Sequence, residues 1–267
     1  MCYYNGIKVT HLEYIRLKDL EVSIKEFQAL LRPVQSGFDY GNSIVVTPVP
    51  GQHDMEVSAM EWGFLPSYVS TREKVQQMRF GYTDAAGRFH PPLTTLNAKG
   101  EELFFPNKIY RDAALHRRCL VPSTGFYEWR HINPIGKNGK ELKTAIKYPY
   151  HVQLKEKEYF YIAAIWQPWT DKSTGEHVNS FALATTAANP LMRVIHNSKN
   201  RMPTILTEDL AEEWIFGDLS KSRITQIATF QYPWQEMEAC TVDKKFRQLD
   251  KPYTPVTYED VPAISIV

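Results

Sequence analysis

The chain has 267 residues, 43% of them apolar, and a formal net charge of +1. That composition supports one sizeable core and excludes a disordered chain, and without a global basic field any nucleic-acid site must rest on local cations and stacking aromatics. The longest apolar run, Tyr159 to Trp166, is too short to cross a bilayer and no apolar signal segment opens the chain, so we expect a soluble, cytosolic protein with no membrane partner.

Short apolar runs rich in β-branched and aromatic residues recur between turn signals and read as strands: Ser43 to Thr47, Met55 to Met60, Cys119 to Pro122, Tyr148 to Leu154, Tyr159 to Trp166, Phe181 to Thr186 and Met237 to Val242. Helices are fewer. One is expected to begin at Ser70, with Glu73 completing a capping box, another across Asn107 to Arg118, and a third at Thr207, where Glu208 and Asp209 load the first turn. The stretch 131–147, with Gly136-Lys137-Asn138-Gly139 and three further lysines, reads as a surface insertion, and 248–267 as an irregular tail on a single domain spanning 1–267. The expected fold class is α+β, β-dominated, with mostly antiparallel barrel-like sheets and flanking helices.

Cys2 stands out chemically. Once Met1 is clipped, one carbon bears both an α-amine and a thiol; the amine, with a pKa of about 7.7 to 8.0, attacks an aldehyde, and the thiol closes the imine to a five-membered thiazolidine. Retained Met1 turns that amine into an amide and disarms it. The three cysteines, Cys2, Cys119 and Cys240, are widely spread with no Cys-x-x-Cys pair, which argues against a disulfide framework and a zinc ribbon, so neither metal nor cofactor is assigned. Glu128, between Tyr127 and Trp129, is either a desolvated acid-base carboxyl or a solvent-facing residue of an alternating strand. His196 suits proton transfer or a structural hydrogen bond, Asn97 can orient a nucleophile or bond its own turn, and Trp62 is a core residue or a stacking platform. An amino-terminal-nucleophile amidohydrolase on a four-layer αββα sandwich, and a non-catalytic nucleic-acid-binding β-barrel, are the competing readings.

These segments, in this order, resemble the SOS response-associated peptidase family of abasic-site processing proteins. The resemblance runs through Cys2, Trp62-Gly63-Phe64-Leu65-Pro66-Ser67, Asn97-Ala98-Lys99, Arg118-Cys119-Leu120-Val121-Pro122, Gly125-Phe126-Tyr127-Glu128-Trp129, Thr185-Thr186-Ala187-Ala188-Asn189, His196 and Arg201-Met202-Pro203-Thr204-Ile205-Leu206. It implies covalent capture of the abasic aldehyde in single-stranded DNA as a thiazolidine that shields the lesion, together with peptidase removal of the first methionine and a lyase-like reversal. It also implies roles: Cys2 supplies amine and thiol, Asn97 holds the amino terminus and sugar, Glu128 transfers protons and His196 assists Schiff-base chemistry. For DNA we assign Trp62 to stacking and Lys99, Arg111 and Arg201 to phosphates. Three departures from the family pattern stand out: Tyr3-Tyr4 in place of Gly-Arg, Lys99 in place of arginine, and the longer Asn197-Ser198-Lys199-Asn200 between His196 and Arg201.

Overall fold

Five strands close into a barrel. In the computed structural model, which describes residues 2–8 and 13–266, Asn42–Pro48 pairs antiparallel with Met55–Trp62 and, through Val46 and Leu120, with Arg118–Ser123. Arg118–Ser123 pairs antiparallel with Phe160–Thr170, which pairs antiparallel with His177–Ala187. The ring closes where Ser180 and Phe181 lie parallel to Glu61 and Trp62. The expected β-dominated barrel with flanking helices is therefore the fold, and the layered αββα sandwich of an amino-terminal-nucleophile hydrolase is not.

Four of the barrel strands bury both faces over their central residues, which is why they read as apolar runs, whereas Met55–Trp62 leaves Glu56 and Ala59 exposed. In Phe160–Thr170, Tyr161, Ala163 and Ile165 enter one core with the helices Glu208–Phe216 and Lys221–Ala228, while Phe160, Ile162 and Ala164 enter a second core that contains Cys2. That second core is roofed by another sheet, ordered Met237–Thr241, Ile146–Leu154, Gly125–Ile132, Tyr4–Gly6 and Gln35–Ser36. The stretch between Ile132 and Ile146 is a hairpin loop bearing one bridge, Ile135 to Glu141.

Helix starts follow side-chain capping. The first long helix is Arg72–Phe80, capped by Thr71, whose hydroxyl accepts from the Lys74 amide, and not by Ser70 as the sequence reading had it. Thr207 caps Glu208–Phe216 as expected. The helix expected over Asn107 to Arg118 is confined to Arg111–His116. Among the described residues no helix is long and apolar enough to cross a membrane.

Candidate active site

Cys2 is placed by the short strand that follows it. Tyr4–Gly6 is inserted between two neighbours, with Asn5 opposite Phe126 and Gln35, and Gly6 opposite Gly125. The Asn5 carboxamide fastens this strand to the barrel: its Oδ1 accepts from Ser123 Oγ at 2.6 Å and its Nδ2 donates to the Pro122 carbonyl at 3.4 Å. Continuing the antiparallel register sets Tyr3 across from Glu128, so the amino-terminal residues run beside the Gly-Phe-Tyr-Glu-Trp strand. Met1 lies outside the described residues.

Glu128 faces inward. Its strand alternates, sending Phe126 into the core that holds Cys2 and Tyr127 into a separate cluster with Val242 and Phe246. Glu128 is 3% exposed, and burial, the largest cause, pushes its carboxyl from 4.5 up to about 8. At neutral pH it therefore holds a proton. Cys2 is fully buried with its thiol directed at the Tyr4 carbonyl at 3.7 Å; burial and then the Glu128 carboxylate push that thiol far above its ordinary value, so it remains S–H.

His196 follows the helix Pro190–Ile195, which Asn189 caps by accepting from the Met192 amide at 3.0 Å, with proline in the first turn. Its Nδ1 lies 2.8 Å from the Arg201 carbonyl. A carbonyl only accepts, so the proton sits on Nδ1 and the lone pair on Nε2, which lies 3.6 Å from Glu128 Oε2. Burial lowers His196 to about 4. The pair is thus a neutral imidazole beside a protonated carboxyl, not an ion pair. The longer His196–Arg201 connection contributes here: Asn197 Oδ1 accepts from the His131 amide at 2.9 Å and Asn197 Nδ2 donates to the His131 carbonyl at 2.8 Å, pinning the loop to the end of the Glu128 strand.

Asn97 lies on the short strand Asn97–Lys99, parallel to His177–Ala187, and is 8% exposed. Both polar atoms of its side chain lack a hydrogen bond among the described residues. A buried carboxamide left in that state costs about 1–3 kcal/mol, which an incoming group would recover. Leu96 beside it packs in the same core as Cys2.

The four residues assigned to DNA divide. Trp62 is 1% exposed, stacked on Phe181 with centroids 6.1 Å apart, and its indole N–H donates to the Leu96 carbonyl at 3.0 Å. No face is open to a base, so its assignment as a stacking platform is corrected: it fixes the strand that carries Asn97. Arg201 is also reassigned, because its guanidinium is clamped bidentately by Glu101 at 2.7 and 2.9 Å and donates to the Thr185 carbonyl. Lys99 is half-exposed but paired with Glu102 at 2.8 Å, and Arg111 is exposed at the start of its helix. Other aromatics that the sequence reading missed offer partly open faces: Tyr3 and Tyr40 are half-buried against the core that holds Cys2, and Phe38 and Phe80 are exposed. Tyr3 packs on Phe38 at 4.7 Å and Tyr40 on Phe80 at 5.8 Å, and burial followed by Glu128, Tyr40 and Cys2 raises the Tyr3 hydroxyl. The position of Tyr3 next to Cys2 was the available signal. Tyr4 turns to the other face, edge-on to Trp129 at 4.9 Å. Among the described residues no three His, Cys, Asp or Glu side chains gather as metal ligands.

A family model described as SOS response associated peptidase (SRAP) matches residues 27–249. The chain belongs to this family. Among its relatives, the abasic site processing protein YoqW of Bacillus subtilis (strain 168) is 26% identical over 198 residues, 74% of each chain. The abasic site processing protein HMCES of Xenopus tropicalis is 24% identical over 172 residues, 61% of this chain and 46% of that protein. A crystal structure of a Bacteroides thetaiotaomicron protein superposes with a TM-score of 0.73 at 25% identity, covering 96% of this chain and all of the other. The match to the family model begins after Cys2, so it is the strand Tyr4–Gly6 that ties the amino terminus to the site.

Proposed function

We propose that this protein processes abasic sites by capturing the aldehyde of the lesion in single-stranded DNA on Cys2 as a thiazolidine. The observation that carries this reading is the convergence of Cys2 with a protonated, buried Glu128 and a neutral His196. With Met1 removed, the unprotonated α-amine adds to C1′ of the ring-opened sugar and a proton moves from nitrogen to oxygen, giving a carbinolamine. Glu128 donates its proton to the hydroxyl, which leaves as water, and the nitrogen lone pair forms the iminium. Sulfur then bonds to that carbon as the thiol proton passes to the Glu128 carboxylate, restoring the acid and leaving a neutral ring nitrogen. One aldehyde, one amine and one thiol give one thiazolidine and one water.

His196 Nε2, aimed at Glu128, accepts and returns the proton during dehydration and reversal, and the Asn97 carboxamide holds the amine and sugar. A single strand is the natural substrate because its abasic C1′ is reached without breaking a duplex stack. The aromatic faces of Tyr3, Phe38, Tyr40 and Phe80 supply base stacking, and Lys99 and Arg111 supply phosphate contacts. Removal of Met1 at the same site is a separate proposal, checked by comparing the amino-terminal mass of wild type and Glu128→Gln.

The test is a denaturing gel of Met1-processed protein with a single-stranded oligonucleotide carrying one abasic site. A heat-resistant shifted band that requires both the lesion and Cys2 is expected. The same band from Cys2→Ala, or none from wild type with a free Cys2 terminus, would overturn the reading.

A further inference from the structure

The sheet that carries Glu128 has a far face with a cavity of its own. Tyr127 stands opposite His151 across the ladder, and His151 stands opposite Cys240 on the next strand. His151 and Cys240, with Lys8, Gln153 and Tyr253, line a cavity of about 280 Å³. It lies on the side of the sheet away from Cys2, because Tyr127 and Cys240 pack in a cluster separate from the core that holds Cys2.

The informative residue is His151. It is 4% exposed and touches the rings of Tyr127 at 5.0 Å and Tyr253 at 6.1 Å, yet among the described residues it makes no hydrogen bond. Room for it is made by Gly125: a Cβ there would lie 2.1 Å from His151 Nε2. Burial, and then the Lys8 charge, lower its pKa to about 3, so the ring is neutral and presents one N–H and one lone pair.

Lys8 sets the ligand's charge. Its Nζ donates to Gln153 Oε1 at 2.7 Å and lies 4.3 Å over the Tyr253 ring, so two of its three N–H groups remain. Glu238, an exposed acid, also lines the cavity, and its carboxylate accepts from the Gln153 amide N–H. The Cys240 thiol, half-buried and raised by that burial, is a neutral group directed at the Tyr253 carbonyl at 4.0 Å. The cavity thus offers a cation and a neutral imidazole N–H to an acceptor.

We propose that this cavity is a second ligand site, which holds a small oxyanion, a carboxylate or phosphate group, between the Lys8 ammonium and the His151 imidazole. It is independent of the aldehyde chemistry at Cys2. The test follows the histidine ring resonances of the full-length protein while inorganic phosphate, acetate or an undamaged single-stranded oligonucleotide is added at fixed ionic strength, with chloride as the control. A saturable shift of the His151 signal is expected, unchanged in Cys2→Ala and weakened roughly tenfold or more in Lys8→Met, with the His196 signal unmoved as the check on folding. A response to phosphate or acetate identifies a free anion, and a response to the oligonucleotide alone identifies a DNA phosphate. No saturable shift with any of the three, or equal binding by Lys8→Met, would overturn the proposal.

Discussion

Replacing Glu128 by glutamine removes the proton but keeps the shape, and the structure sets the size of the effect on stability. Raising this carboxyl from 4.5 to about 8 corresponds, at about 1.36 kcal/mol per pH unit, to roughly 5 kcal/mol. Below pH 4.5 the folded and unfolded chains both carry the proton and the contribution is constant. Between 4.5 and about 8 the unfolded chain releases it while the folded chain keeps it, so stability falls as pH rises; above about 8 the slope vanishes. Glutamine cannot titrate. The other ionisable groups are common to both proteins and cancel in the difference, leaving only the hydrogen-bonding change, roughly 1–2 kcal/mol, as a pH-independent offset. Urea unfolding at pH 5 and pH 8.5 should therefore show Glu128→Gln gaining several kcal/mol on wild type between the two conditions, while its capture of abasic DNA is slowed. Parallel stability profiles for the two proteins would show that Glu128 titrates normally, and the argument for a buried acid would fail.

Capture by wild type should follow a bell-shaped pH profile, rising as the α-amine deprotonates and falling as Glu128 ionises near pH 8, and Glu128→Gln should slow it by roughly 10²-fold or more in single-turnover assays. His196 runs the other way in stability: with its pKa lowered to about 4, the folded chain resists protonation, so stability is lost as pH falls from 6.5 through 4, and His196→Gln should flatten that limb in the same urea series. Arg201→Met should slow capture by releasing His196, and lower stability by roughly 1–3 kcal/mol because its pair with Glu101 is only partly buried. It should leave the salt dependence of DNA binding unchanged, whereas loss of a phosphate contact would reduce the slope by about 1. Asn189→Ala removes both the helix cap and a hydrogen bond to the Tyr232 carbonyl at 2.8 Å, and should cost roughly 2 kcal/mol in the urea midpoint.

Most barrel strands were legible as apolar runs because both of their faces are buried, but the same burial hid which face belonged to which core. The helix at Thr207 was marked by its cap and acidic first turn. The Pro190–Ile195 helix carried an equally clear mark, Asn189 followed by proline, but six residues are too few for a helical apolar period to show. Lys221–Ala228, capped by Ser220 with no acid in its first turn, gave less to see. The residues of the site were legible as chemical types, and the inward direction of Glu128 follows from the strand alternation once the roofing sheet is known. Partners distant in sequence were beyond reach. Arg201 finds Glu101 and Trp62 finds the Leu96 carbonyl only through the barrel, so a cation and an aromatic that looked available for DNA are spent on structure. The strand Tyr4–Gly6 is too short to show a pattern, yet it is what delivers Cys2.

The central claim is that Cys2 forms a ring with the lesion, and intact-mass spectrometry tests it most directly. Protein incubated with an abasic single strand should yield one species whose mass equals that of the chain without Met1 plus the oligonucleotide minus one water, with fragmentation placing the adduct on residue 2. An adduct on a lysine, or none in a sample whose amino terminus is shown to be free Cys2, would contradict the account.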